Sequence, residues 1–153
     1  MQPEPELILY DGVCVLCNRM MQFVLRHDPA GRFHYAALQG PVAQAILRRH
    51  HLPTASFTTL YLVVHYGTPS ERLLRKARAA LHVLDLLGWP WRLARVLTLL
   101  PTPVLDLGYD VVARTRYRVF GRTETCMLPN PRYRGRFLDD GVGQGPFSGM
   151  PAA

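Results

Sequence analysis

The spacing of apolar residues changes near the start of the chain from a continuous run to a helical period. Leu7-Ile8-Leu9-Tyr10 is an uninterrupted apolar run closed by Asp11-Gly12, which is typical of a strand buried on both faces. From Cys14 onward, apolar residues recur at helical spacing until Asp28-Pro29 and Gly31 interrupt the pattern. The pattern predicts a central strand followed directly by a helix of about three turns.

The next segments predict a second strand, a second helix and a hairpin. Residues 32–38 alternate well enough for a strand, which a helical crossover would place parallel to the first. Residues 42–49 have helical spacing and end in cationic side chains, which suit a helix C-terminus. Residues 56–66 are rich in β-branched and aromatic side chains and predict a strand, and after the turn at residues 67–70 we expect residues 71–74 to return as its short partner.

The second half of the chain predicts helices. The apolar stripe of residues 76–87 indicates a packed helix that is closed by Gly88. Residues 91–100 predict a further helical segment, and Thr102 is placed to cap a last helix that runs to about residue 121.

Cys14 and Cys17 lie where the first strand gives way to the first helix. Two cysteines separated by two residues at a helix start can form a disulfide, and the first sulfur lies where unpaired N–H groups favour a thiolate. The carboxyl edge of a buried strand is also where open α/β sheets place their sites. We predict that Cys14 attacks a substrate disulfide and that Cys17 resolves the mixed disulfide.

A strand, a CxxC helix, a strand, a helix and a hairpin, in this order, predict a thioredoxin-like α/β fold. We expect a central mixed sheet of about four strands, flanked by helices and followed by extra C-terminal helices. Residues 1–138 are predicted to form this domain with its helical extension. Residues 139–153 have little to bury and predict a flexible tail.

The stretch from Asp11 to Asn18 resembles the signature of the DCC family of predicted thiol-disulfide oxidoreductases, named for an Asp and two Cys. Further similar stretches are Arg32-Phe33 through Leu38-Gln39, Trp91-Arg92, Tyr117 to Gly121 with Cys126, and Arg136-Phe137-Leu138. The resemblance implies a thioredoxin-like fold and an active site on Asp11, Cys14 and Cys17. It implies a reaction type and no particular substrate.

Two positions depart from the expected patterns. Thioredoxins place a cis-proline just before the third strand, whereas this chain has Thr58-Thr59 there and Pro53 lies too far upstream. We therefore expect substrate docking to differ from that of thioredoxins. Ala77 stands where the DCC family is expected to carry a serine, so a role for that hydroxyl is not expected here.

Asp11 and Cys126 each have more than one candidate role. Asp11 could orient the turn by accepting backbone N–H bonds, or it could exchange a proton with Cys17. Cys126 is interpreted as a partly buried structural thiol, with a second disulfide or a sensing role as alternatives.

Two non-enzymatic hypotheses stay open. The CxxC pair could provide half of a zinc site, which needs four ligands, although no finger or ribbon spacing is repeated. The candidates for its remaining ligands are His34, His50, His51 and Cys126.

Alternatively, the last helix and Trp89-Pro90-Trp91 could bind an acidic protein or a membrane surface. The simpler interpretation places the arginines of that helix on a solvated outer face. They are Arg114, Arg116 and Arg118.

Composition sets the protein class. A chain of 153 residues with 48% hydrophobic and 19% charged residues suits one domain with a real core. Lysine and arginine number 18 against 11 acidic residues, a net charge of +7 that we interpret mainly as an aid to solubility. Because the strands lack a basic-aromatic RNA-binding pattern, no nucleic-acid partner is expected.

The expected location follows from the lack of a signal peptide, of a membrane span and of a disulfide framework in the sequence. Residues 1–6 do not resemble a secretory signal, and no apolar run approaches the ~20 residues of a membrane span. Three cysteines do not form a secreted disulfide framework. We therefore expect a cytoplasmic protein without a transmembrane segment and without a cofactor beyond its redox-active disulfide. Its expected partners are a protein or small-molecule disulfide substrate and a recycling reductant or oxidant.

Overall fold

The computed structural model describes residues 4–55, 59–122 and 131–138. Four strands form one sheet in the order β2-β1-β3-β4. They are β1 (Glu6–Tyr10), β2 (Phe33–Ala37), β3 (Tyr61–Val64) and β4 (Arg72–Arg75). Strand β2 is parallel to β1, whereas β3 is antiparallel to both β1 and β4. This mixed sheet confirms the predicted α/β fold and is consistent with a thioredoxin-like arrangement.

Helices flank the sheet and continue beyond it. The α-helices are α1 (Val15–His27), α2 (Pro41–Arg49), α3 (Lys76–Leu87) and α4 (Thr102–Val119). Two 3-10 segments are Trp91–Leu99 and Pro131–Arg136. After the second of these, Phe137 stacks on Tyr35 of β2 with ring centroids 5.1 Å apart, so this part of the chain packs on the sheet.

Strand β1 is buried along its whole length because it has a strand on each side and helices against both faces. Its side chains alternate between two apolar clusters, as the pleat of a strand requires. Leu7 and Leu9 pack with Ile46 of α2, and Ile8 packs on the opposite face with Val24 of α1. Burial of both faces explains the continuous apolar run Leu7–Tyr10, and Glu6 at the start of the strand is buried as well.

The predicted hairpin is present, with a shorter first strand than expected. Residues 56–66 were expected to be extended, but β3 covers only Tyr61–Val64, and residues 56–58 lie outside the described ranges. His65 has a φ of 55°, which ends the extended conformation and begins the turn. The return strand β4 is confirmed and pairs with β3 through Leu73 opposite Val63.

The helical segment predicted at residues 91–100 is present, and the prediction for Thr102 needs correction. Residues 91–99 form a 3-10 segment in which no residue is fully buried, although the Trp91 ring packs edge-on against Phe23 of α1 with ring centroids 4.7 Å apart. Thr102 is the first residue of α4, not its cap; Pro101 precedes it, and the Thr102 hydroxyl lies 3.1 Å from Nη2 of Arg78. The correction arises because Pro101, with extended backbone, takes the capping position itself.

The outer surface of the 3-10 segment and α4 exposes many large apolar side chains. They include Leu93, Val96, Leu97, Leu99, Leu100, Val104, Leu107, Val111 and Val112. Across the described residues, no helix is both long and apolar enough to span a membrane.

The predictions for Thr58, for Cys126 and for residues 139–153 concern residues outside the described ranges. The cis peptide bond among the described residues is Trp89–Pro90, not a bond directly before β3.

Candidate active site

The turn between β1 and α1 is held by its own side chains. Oδ1 of Asp11 accepts the N–H of Val13 at 3.1 Å, and the carbonyl of Asp11 accepts the N–H of Cys14 at 3.3 Å. Nδ2 of Asn18 donates to the carbonyl of Gly12 at 3.2 Å. Asp11 therefore has the turn-orienting geometry that was one of its two expected roles.

Cys14 is the N-cap of α1. Its backbone is extended, with φ −86° and ψ 119°, and its Sγ accepts the N–H of Cys17 at 3.4 Å. A cysteine here takes the place that Ser, Thr, Asp or Asn commonly hold at a helix start. The Cys14 sulfur therefore lies against the first N–H groups of the helix, which have no carbonyl partner within it.

The two cysteines differ in their surroundings. Cys14 is 0% exposed and pairs with Arg122 in an isolated antiparallel bridge, whereas Cys17 is partly exposed. Burial, followed by the proximity of Cys14, raises the pKa of the Cys17 thiol to about 12. Cys17 is therefore a protonated thiol at neutral pH.

Arg116 of α4 connects Asp11 with Cys17. Its Nη2 lies 3.1 Å from Oδ2 of Asp11, and its Nη1 lies 3.4 Å from Sγ of Cys17. The side chain of Arg116 is 4% exposed and that of Asp11 is 0% exposed. Because a guanidinium does not give up its proton, Arg116 provides a fixed positive charge between the carboxylate and the thiol.

Gln39 and Tyr117 complete the surroundings of the Asp11 carboxylate. Nε2 of Gln39 donates to Oδ1 of Asp11 at 2.7 Å, while its Oε1 accepts the N–H of Gly12 at 3.2 Å. The Tyr117 hydroxyl donates to Oδ2 of Asp11 and accepts from Nη2 of Arg116 at 3.0 Å. Burial, with the hydrogen bond to Asp11, raises the pKa of Tyr117 to about 12, so its hydroxyl stays a donor. These hydrogen bonds from Gln39 and Tyr117 fix the orientation of the Asp11 carboxylate, which can only accept.

Sequence reasoning placed Arg116 on a solvated face, and the structure shows that it is buried. Tyr109, Ala113 and Arg116 share one face of α4 at helical spacing, so the arginine continues a buried stripe. Gln39 was also missed as a site residue. It directly follows the β2 region at the same sheet edge as Asp11, because the carboxyl ends of parallel strands meet there. The helical spacing around Arg116 and the position of Gln39 after β2 are the two features of the sequence that could have identified these residues as part of the site.

A cavity of about 150 Å³ lies beside Cys17 and is bordered by α1, α3 and α4. Its lining consists of Ile8, Tyr10, Leu16, Cys17, Met20, Met21, Phe23, Val24, Leu60, Ala80, Val83, Leu84, Tyr109, Val112, Ala113 and Arg116. The Tyr109 hydroxyl lies 2.7 Å from the backbone nitrogen of Leu60 and accepts its N–H. Burial raises the pKa of Tyr109 to about 12, which keeps this hydroxyl neutral. Most of the other lining side chains are aliphatic or aromatic, so the cavity is predominantly apolar.

The three histidines proposed as zinc ligands lie at two elements, and Cys126 lies outside the described residues. His34 lies on β2, whereas His50 and His51 follow the end of α2, where Nε2 of His50 lies 3.4 Å from Oε1 of Glu71. Within residues 4–55, 59–122 and 131–138, no group of three or more His, Cys, Asp and Glu side chains is arranged to hold a metal ion.

A mixed four-stranded sheet with a CxxC pair at the N-terminus of its first helix defines an α/β protein of thioredoxin-like type. The model of the DCC1-like thiol-disulfide oxidoreductase family matches residues 8–122, and the chain belongs to this family. The matched range includes Asp11, both cysteines of the CxxC pair and Arg116.

The chain is similar to a bacterial protein and to a plant protein. The chain is 36% identical over 132 residues to "Uncharacterized protein YuxK" of Bacillus subtilis, covering 86% of this chain and 93% of that protein. It is 32% identical over 123 residues to "DCC family protein At1g52590, chloroplastic" of Arabidopsis thaliana, covering 80% of this chain and 69% of that protein. No solved structure gives a significant match.

Proposed function

We propose that this protein catalyses thiol-disulfide exchange with Cys14 as the nucleophile and Cys17 as the resolving thiol. The observation that carries the proposal is the position of the Cys14 Sγ, which caps α1 and accepts the N–H of Cys17 at 3.4 Å. A helix N-terminus favours a thiolate, and the thiolate is the form that attacks a disulfide. Membership of the DCC1-like family supports the same reaction type.

The proposed reaction proceeds through a mixed disulfide. The Cys14 thiolate attacks one sulfur of the substrate disulfide; the other sulfur leaves with the bonding electron pair and takes a proton from solvent. Cys17 then loses its proton and attacks Sγ of Cys14, which breaks the mixed disulfide and releases the second substrate thiol. The substrate is reduced, and the protein is left with a Cys14–Cys17 disulfide. A dithiol reductant restores the free thiols, and the same steps run in reverse with a dithiol substrate.

The surroundings of Cys17 suit a resolving thiol. Its raised pKa keeps it protonated while Cys14 makes the first attack. When its proton leaves, Nη1 of Arg116, 3.4 Å from the sulfur, stabilises the thiolate that forms. We propose Asp11 as the positioning residue that holds this guanidinium, since their separation is 3.1 Å.

Cys14 is covered, so the proposed reaction has a conformational requirement. The thiol is 0% exposed, and Arg122 pairs with the Cys14 backbone. The residues around Cys14 must therefore move before a substrate sulfur can approach. We propose a protein or small-molecule disulfide as the substrate. A reducing compartment such as the cytosol, which keeps a cycling cysteine pair in its thiol form, fits this chemistry.

Serine substitutions test the assignment of the two cysteines. The assay is the dithiothreitol-dependent reduction of insulin disulfides by the full-length protein. Cys14→Ser and Cys17→Ser should both abolish turnover, and only Cys17→Ser should accumulate a mixed disulfide that is visible by mass spectrometry. Cys126→Ser is the matched control and should keep its turnover. Full activity of Cys14→Ser would contradict the proposal.

Two measurements on the unmodified sequence complete the test. Mass mapping of the oxidised protein should show a Cys14–Cys17 bridge with Cys126 as a thiol. We also propose that the reaction needs no cofactor beyond this disulfide. Metal analysis of untagged protein checks this, and stoichiometric zinc on the CxxC pair would favour the metal-binding hypothesis instead.

A further inference from the structure

We propose that the cavity beside Cys17 binds an uncharged apolar substituent of a small disulfide, so that such disulfides are preferred over polar or charged ones. This inference rests on the proposed thiol-disulfide exchange and adds a substrate class to it. It is carried by the lining, the volume and the opening of the cavity.

The lining offers few hydrogen bonds to a polar ligand. The Tyr109 hydroxyl is bonded to the backbone of Leu60, and the guanidinium of Arg116 is bonded to Asp11, Cys17 and Tyr117. A polar substituent entering this cavity would lose its bonds to water with little replacement. An apolar substituent gains about 25 cal/mol for each Å² that leaves water. The lining therefore selects for apolar groups.

The volume sets the size of the substituent. The cavity measures about 150 Å³. Apolar protein cavities of about 150 Å³ take up benzene or xenon. One aromatic ring or one branched aliphatic group therefore fills the space, whereas a charged peptide such as glutathione has no apolar group of this kind to place there.

The cavity opens to the surface on the side of Cys17. Met20 of α1 is 41% exposed and Val112 of α4 is 49% exposed, so these side chains form the rim. Met21 and Val83, which are 4% and 6% exposed, lie deeper. Cys17 precedes Met20 and Met21 by about one helical turn, which places all three on one face of α1. Methionine side chains at the rim can adjust to different apolar shapes.

A substituent in the cavity brings its own sulfur beside Cys17, and Cys14 can reach that sulfur after the movement that the proposed function requires. Cys14 then bonds to this sulfur, the second sulfur of the substrate leaves as a thiol, and Cys17 displaces the bound sulfur as a second thiol. The disulfide is reduced and the Cys14–Cys17 pair is oxidised, so atoms and electrons balance within a single turnover. Dithiothreitol restores the pair for further turnovers.

The test compares disulfides that differ only in the substituent. Benzyl 2-hydroxyethyl disulfide, its 4-carboxybenzyl analogue and bis(2-hydroxyethyl) disulfide are reduced by wild-type protein, and kcat/KM is measured with dithiothreitol as reductant. The uncatalysed rate of each disulfide with dithiothreitol is subtracted. We expect the benzyl compound to be favoured over the other two by roughly tenfold or more, as hydrophobic pockets discriminate. Benzyl alcohol should inhibit reduction of the benzyl compound competitively.

Neighbouring valines of α4 provide a matched pair of variants. Val112 lies at the rim, while Val111 is 55% exposed and does not line the cavity. Val112→Trp should reduce the ratio of kcat/KM for the benzyl and hydroxyethyl compounds towards one, and Val111→Trp should keep the wild-type ratio. If Val112→Trp does not fold, the wild-type substrate comparison decides alone. Equal wild-type rates for all three disulfides would overturn this inference, whereas no reduction of any disulfide would overturn the proposed function itself.

Discussion

The buried pair of Asp11 and Arg116 makes a quantitative prediction about stability. Replacing Arg116 with Met keeps a long side chain but leaves the Asp11 carboxylate, 0% exposed, without the cation 3.1 Å away. Removing one partner of a buried ion pair costs about 3–5 kcal/mol. Because Asp11 still accepts bonds from Val13, Gln39 and Tyr117, we expect a loss near the lower limit. At the size of this protein, a loss of about 3 kcal/mol lowers Tm by about 6–12 °C.

A double-mutant cycle isolates the interaction from the other effects of each substitution. Asp11→Asn, Arg116→Met and the double variant are unfolded with urea at pH 7, and each free energy of unfolding is compared with wild type. We expect the double variant to be about 2 kcal/mol more stable than the sum of the single losses predicts. Arg118→Met, at an exposed position of the same helix, is the control and should change stability by less than about 0.5 kcal/mol. Additive losses, or a loss below about 1 kcal/mol for Arg116→Met, would refute the coupling.

Three further predictions concern single positions. Burial raises the pKa of Glu6 from 4.5 to about 7, so the folded protein holds a proton that the unfolded chain releases, and stability falls as pH rises between these values. Glu6→Gln should remove this loss, and its advantage over wild type in urea unfolding should grow from pH 4.5 to 7 by up to about 3 kcal/mol. Gln39→Glu replaces a donor 2.7 Å from Asp11 with a carboxylate, and should cost about 3 kcal/mol at pH 7, with a smaller cost at pH 4. Gly88 ends α3 with a φ of 84°, so Gly88→Ala should cost about 1–3 kcal/mol, whereas Gly108→Ala, within α4, should add about 0.5–1 kcal/mol in thermal unfolding.

Each of these predictions has an outcome that contradicts it. An unchanged difference between Glu6→Gln and wild type across pH would show that Glu6 is not held in a proton-binding environment. Gln39→Leu is the control for Gln39→Glu, since it removes the hydrogen bond without adding a charge, and equal losses would exclude repulsion with Asp11. Equal effects of alanine at Gly88 and Gly108 would show that backbone conformation is not what separates them.

Local sequence patterns predicted most of the fold and identified the two cysteines of the candidate site, Cys14 and Cys17. The run Leu7–Tyr10 and the helical period after Cys14 each arise from neighbours in the chain, and the structure has both elements where they were predicted. The early end of β3 depends on the left-handed backbone of His65, which no side-chain period reveals. Arg116 was missed because an arginine near a helix end is usually solvated, and its partner Asp11 lies 105 residues away.

This separation also has a consequence for the chain while it is being made. Asp11 and the cysteines leave the ribosome well before α4, and at elongation rates of about 5–20 residues per second the interval is roughly 5–20 s. During this time the nascent CxxC turn has neither the Arg116 guanidinium beside it nor the backbone bridge to Arg122. A newly made chain therefore presents its cysteine pair to cellular thiols and oxidants before Arg116 has docked beside it.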